Sequence, residues 1–107
     1  AWLQAWVGEP YAICVQEVGG VEMMFISDSK QHRVAVYTEE QTLVRRIGKY
    51  GREDGQMCFP QGVAVSNEGE VFVCDSGNER VQVFNSVGSF QRILWKEDEE
   101  DRHLYAI

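Results

Sequence analysis

The sequence predicts an all-β protein built from two four-stranded antiparallel units in tandem. Three observations carry this expectation. Asp28-Ser29-Lys30-Gln31-His32-Arg33-Val34-Ala35-Val36-Tyr37 returns 47 residues later as Asp75-Ser76-Gly77-Asn78-Glu79-Arg80-Val81-Gln82-Val83-Phe84, with Asp, Ser, Arg and both Val in register and Tyr37 answered by Phe84. A fixed period of this size is the mark of a repeat architecture. Short runs of β-branched and aromatic residues alternate with clusters of Gly, Asn, Asp and Ser, which is the pattern of strands joined by tight turns. The 107 residues are 44% hydrophobic and 25% charged, which fits one globular domain and excludes a disordered chain.

The second unit is the cleaner. Its strands are expected at 62–65, 71–74, 80–84 and 90–94, with turns at 66–69, 76–79 and 85–88 where Asn and Gly tolerate the required backbone angles. Along 80–84, alternation puts Val81 and Val83 on one face and Arg80, Gln82 and Phe84 on the other. The first unit follows the same plan, with strands at 11–15, 23–26, 33–37 and about 42–47. Pro10 and Pro60 open the two units, and their spacing exceeds the period by three residues. The extra residues are expected in a loop at 16–20, where an insertion costs little. Four-stranded antiparallel units repeating every forty-odd residues are blades of a β-propeller. An eight-stranded sandwich is the alternative, but a sandwich need not reuse one hairpin sequence. The chain then divides into an end of a preceding blade or an N-terminal extension (1–9), blade 1 (10–47), a linker (48–59), blade 2 (60–94), and an acidic linker with the start of a third blade (95–107). Residues 2–7 read as an outer strand, and Leu104-Tyr105-Ala106-Ile107 echoes Tyr11-Ala12-Ile13.

Net charge is −7, which disfavours a phosphate backbone as partner without excluding a local basic patch. Cys14, Cys58 and Cys74 are odd in number and scattered, so they form no disulfide framework; they point to a reducing compartment and a cytoplasmic location. No pair has zinc-ligand spacing, the histidines are only His32 and His103, and no cofactor is expected. No run is long and apolar enough to span a membrane. The run 97–101 reads as a solvated loop, since five adjacent carboxylates lack a geometry that aims them at one cation.

Asp28 and Arg33 flank one turn and Asp75 and Arg80 the other, at the same spacing. Each pair reads as a turn clamp, the carboxylate accepting from turn amides or from the guanidinium. A catalytic pair of carboxylates would have to sit together with separated pKa values, not one per repeat. No nucleophile–base set, phosphate loop or histidine-rich metal site stands out, so no catalytic residue is assigned.

Phe59-Pro60-Gln61-Gly62-Val63-Ala64-Val65 followed by residues 71–84 resembles an NHL repeat, and the glycine-spaced stretch 47–57 resembles the linker between NHL blades. The first unit departs from the pattern at Ala12, Lys30 and His32. The resemblance covers about residues 10–94. It implies a propeller of about six blades, of which this chain supplies two, so the fold is incomplete as a single chain. The chain begins at Ala1 without an initiator methionine and reads as a fragment; the alternative is a two-blade subunit closing a ring with copies of itself. Two blades alone would leave apolar faces open.

The resemblance further implies that the linkers and the second-to-third-strand turns form the binding side. The candidates there are Lys30, Gln31, His32, Lys49, Tyr50, Arg52, Gly77, Asn78 and Glu79. The first expectation is a non-catalytic module that recognises a protein partner, as the propeller of a tripartite-motif or RING-type NHL protein selects targets for ubiquitin ligation, with ligase activity residing in RING modules absent from this chain. The second is RNA binding, carried by Arg45, Arg46, Lys49, Tyr50 and Arg52. The third is part of a metal-dependent peptide-amidating lyase-like propeller, for which two scattered histidines are a poor fit.

Overall fold

The structure is a computed structural model, which describes residues 10–97. The expected outer strand at 2–7 and the third-blade start at 104–107 lie outside the described residues. Eight strands follow in order: β1 (Pro10–Val18), β2 (Val21–Asp28), β3 (Arg33–Thr38), β4 (Leu43–Ile47), β5 (Pro60–Val65), β6 (Val71–Asp75), β7 (Arg80–Phe84) and β8 (Phe90–Lys96). They form two four-stranded sheets, β1-β2-β3-β4 and β5-β6-β7-β8, with every neighbour antiparallel. Each sheet is a meander, and the two are blades of a β-propeller.

The turns show why the strands end where they do. In the β7–β8 turn Asn85 Oδ1 accepts from the amides of Val87 (3.1 Å) and Ser89 (2.9 Å), and in the β5–β6 turn Ser66 Oγ accepts from the Glu70 amide (3.1 Å). These short polar side chains satisfy turn amides that would otherwise compete for a strand partner.

The three extra residues of the first unit do not form a loop. They lengthen the hairpin: β1 and β2 have 9 and 8 residues against 6 and 5 in β5 and β6. Val18 pairs directly with Val21, and the turn is Gly19-Gly20 with φ of 61° and 82°. That is the two-residue hairpin turn whose twist matches its strands, and glycine alone enters it freely at both positions. The added backbone groups thereby find partners in the ladder instead of remaining exposed.

The core lies between the blades. Phe25, Val34 and Val36 of the first sheet meet Val63, Val71, Val73 and Phe84 of the second, with Ile47 and Met57 completing the cluster. The closest approach is of β5 to β1 and β2. Two buried serines stitch it: Ser27 Oγ donates to the Gln61 carbonyl (2.7 Å) and Ser29 Oγ to the Pro60 carbonyl (2.6 Å). A second cluster, Ile26, Ala35 and Tyr37 with Met24 and Leu43, occupies the other face of the first sheet. Burial there pushes the Tyr37 phenol above its ordinary value, against the opposing pull of Arg46 and Arg33.

All five residues of β7 are buried. The expected alternation of faces holds in the register, where Gln82 pairs with Val73 and Val81 with Cys74. It does not sort inside from outside, because both faces are covered. Arg80 and Gln82 are therefore polar side chains inside the protein and must be paired there.

Candidate functional site: the turn and linker surface

Asp75 is the hub of this pairing. It is fully buried. Its Oδ1 accepts from the Cys58 amide (2.7 Å). Its Oδ2 accepts from Arg80 Nε (2.9 Å), Asn78 Nδ2 (2.9 Å) and Gln82 Nε2 (3.2 Å). Three of the four donors crowd Oδ2, and the charge is balanced by Arg80.

Arg80 and Gln82 then reach outward to the main chain of the linker. Arg80 Nη2 donates to the carbonyls of Glu53 (2.9 Å) and Gln56 (2.8 Å). Gln82 donates to Gln56 O (2.7 Å) and accepts from the Gly55 amide (2.8 Å). Asn78 Nδ2 donates to Gly51 O (2.8 Å). The Asp75–Arg80 pair thus fastens the linker to the second blade as well as spanning its own turn. Asp28 and Arg33 face each other across β2 and β3, and Asp28 Oδ1 accepts from the Gln31 amide (3.2 Å). At the position of Gln82 the first unit has Ala35, so it holds no copy of the glutamine.

The linker passes between the two second-to-third-strand turns and touches both. At the first, the Phe59 amide donates to His32 Nδ1 (2.9 Å). The His32 ring lies 4.5 Å from that of Phe59 and 4.7 Å from that of Tyr50, edge-on and tilted respectively. Tyr50 is 67% and Phe59 53% exposed, so this three-ring cluster presents aromatic surface to solvent.

At the second turn, the 3₁₀ turn Ser76–Asn78, the Gly77 amide donates to Cys58 O (2.8 Å). A Cβ on Gly77 would stand 2.5 Å from that carbonyl oxygen and 2.6 Å from Cys58 Sγ. Gly77→Ala should therefore cost about 1–3 kcal/mol by forcing linker and turn apart, read as a lowered urea midpoint with an unchanged slope. His32 and Glu79 occupy equivalent places in the two turns, and both have left-handed backbones (φ 56° and 53°). The repeat keeps the backbone at this position and changes the side chain.

Beside the second turn lies a cleft of about 250 Å³ lined by Arg52, Gly77, Asn78, Glu79, Arg80 and Lys96. Arg80 is neutralised by Asp75, leaving Arg52 and Lys96 against Glu79. The structure thus gathers His32, Tyr50, Arg52, Gly77, Asn78 and Glu79 around the linker; Lys30, Gln31 and Lys49 are exposed beside them on the same segments. Sequence reading missed Phe59 and Lys96. Phe59 stood next to a strand-opening proline and read as its lead-in; nothing local marks it as left-handed (φ 50°) and outward-facing. Lys96 joins the cleft only because β8 runs to Lys96, beyond the expected end at 94. Among the described residues no three His, Cys, Asp or Glu side chains gather to hold a metal ion, and no helix is long and apolar enough to cross a membrane.

The fold is that of two propeller blades, the second of which carries a recognised repeat. Residues 57–84 match the NHL repeat, which here spans the end of the linker, β5, β6 and β7. The chain is similar to tripartite motif-containing protein 3 of Mus musculus, 42% identical over 52 residues, covering 49% of this chain and 7% of that protein. It is similar to protein lin-41 of Caenorhabditis elegans, 46% identical over 44 residues, covering 41% and 4%, and to the B-box type zinc finger protein ncl-1 of the same organism, 41% identical over 46 residues, covering 43% and 5%. The matched stretches are thus a small fraction of these relatives' length. Among solved structures, a member of the DUF4221 family from Bacteroides vulgatus superposes with a TM-score of 0.64 at 18% identity, over 88% of this chain and 28% of that one. At that identity the likeness concerns the fold alone.

Proposed function

We propose that this chain is a non-catalytic recognition segment whose turn and linker surface binds a protein partner, within a larger protein of the tripartite-motif kind. The observation that carries the reading is the exposed Tyr50–His32–Phe59 cluster beside the Arg52–Lys96 cleft. Aromatic residues and arginine held rigidly at a surface are the usual anchors of protein interfaces. Here they are fixed from below by the Asp75 hub, so little order has to be gained on binding. The names of the similar proteins support a parent in which zinc-binding modules lie elsewhere, and ubiquitin transfer would belong to those modules. The scaffold residues Asp28, Arg33 and Asp75 position this surface without contacting the partner, and Arg80 both positions it and lines the cleft.

Tyr50→Ala together with Arg52→Glu in the parent protein should weaken partner capture by about 30-fold or more, the loss expected of a central anchor, while ubiquitin transfer continues. Unchanged capture would defeat the reading. Binding of RNA that weakens steeply with salt and is lost with Arg52→Glu alone would replace the protein partner by a nucleic acid.

A further inference from the structure

Arg80 carries a donor that the scaffold does not use. Its Nε is spent on Asp75 and its Nη2 on the carbonyls of Glu53 and Gln56. Nη1 makes no hydrogen bond among the described residues, yet it is not sealed from solvent either. The residue as a whole is only 4% exposed, and it lines the 250 Å³ cleft beside the second turn. Nη1 therefore opens into that cleft, on a guanidinium whose other two nitrogens are locked. A donor held rigidly at the floor of a cleft is satisfied by water until a ligand group replaces it.

The walls add charge to this donor. Arg52 and Lys96 flank the cleft, both are exposed, and among the described residues neither stands within ion-pair distance of a carboxylate. Glu79 is the acid on the lining. With Arg80 balanced by Asp75, two cations face one anion there, in a chain whose net charge is −7. An entering carboxylate would accept from Arg80 Nη1 and from the Arg52 fork, with the Lys96 ammonium as a point charge beside it. The cleft is smaller than the roughly 300–1,000 Å³ of a small-molecule pocket, so it suits a single side chain. A phosphate backbone brings a charge at every step and would also have to run along Glu53, Asp54 and Glu79.

We infer, resting on the reading that this surface binds a protein, that the cleft receives an aspartate or glutamate side chain of the partner. Arg80 Nη1 forms its floor, and Arg52 and Lys96 are its arms. The aromatic cluster begins two residues before Arg52, at Tyr50, so the acid stands beside an apolar residue of the partner.

The experiment pans a random peptide library, joined to its phage through the peptide C-terminus, on the full chain and on an Arg52→Gln, Lys96→Gln variant. Neither side chain bonds to the scaffold among the described residues, so the variant should keep its far-ultraviolet strand signal. Peptides enriched on the wild type should carry Asp or Glu next to an aromatic or aliphatic residue, and those enriched on the variant should lose the acid. In a synthetic copy of an enriched peptide, exchanging the acid for its amide should weaken binding to the wild type by about 10-fold or more, as expected of a hydrogen-bonded charge. The same exchange should change binding to the variant by less than about 2-fold, because the coupled partners are gone. Enriched peptides without an acid, or an amide that binds the wild type equally well, overturn the inference and leave the protein-partner reading in place. A library that yields no binder overturns both. An oligouridylate that outcompetes the selected peptides, and whose binding falls with salt and with the variant, assigns the cleft to RNA instead.

Discussion

Asp75→Ala should destabilise the chain by about 3–5 kcal/mol, the cost of removing one partner from a buried ion pair and leaving the other charged. The variant leaves Arg80 Nε, Asn78 Nδ2, Gln82 Nε2 and the Cys58 amide without their common acceptor. Water could solvate these groups only by entering the space between linker and sheet, which separates the two. The linker should then lose its path along with the blade. Urea unfolding followed by Trp95 fluorescence in a Trp2→Phe, Trp6→Phe background checks this, since Trp95 of β8 pairs with Val81 and reports on the second sheet. Asp75→Asn gives the graded comparison: it keeps the shape but turns an NH₂ toward one of the four donors, and should fall between wild type and alanine. A loss below about 1 kcal/mol for Asp75→Ala, the size of a single ordinary hydrogen bond, would mean that the hub does not hold the linker.

Phe25→Ala should cost a similar about 3–5 kcal/mol, by a different route. Phe25 is fully buried and is the largest side chain that the first sheet contributes to the shared core. Its loss opens a cavity where the blades meet, bordered by β5. The consequence reaches beyond stability. With the contact weakened, the two blades should begin to unfold separately, and the dependence of unfolding on urea should broaden as cooperativity is lost. Phe84→Ala, which deletes the ring packed edge-on to Phe90 (6.0 Å), removes comparable area closer to the second blade's own interior and should keep one sharp transition. Equal broadening in both variants would show that the inter-blade contact has no special part in coupling the two units.

The fold was legible in the sequence because a repeat states itself twice. Within residues 10–97 each strand expected from alternation and turn chemistry is present, and the expected 80–84 coincides with β7. What local pattern did not reveal was how the hairpin at 16–20 absorbs three residues, since a glycine pair between apolar runs serves a loop or an extended ladder equally well. The clamp residues were legible as pairs, but their attachment to the linker was not. Gln82 looks like an outward-facing strand residue until the second layer of structure covers it, and Gln56 looks like an ordinary linker residue. The same limit explains Phe59. Its exposure depends on His32, 27 residues earlier, and no window of neighbouring residues contains that contact.

Arg80, Gln82 and Asn78 hold the linker through the carbonyls of Gly51, Glu53 and Gln56 and the amide of Gly55. Each of these groups belongs to the main chain, which every residue type carries alike. The side chains at 49, 50, 52, 53 and 54 are consequently free of any duty to the scaffold's hydrogen bonding. The linker behaves as a cassette: its course is written in the blade below it, and its lettering can be exchanged. New specificities could be installed at those five positions without redesigning the blade, much as a display frame accepts a different plate.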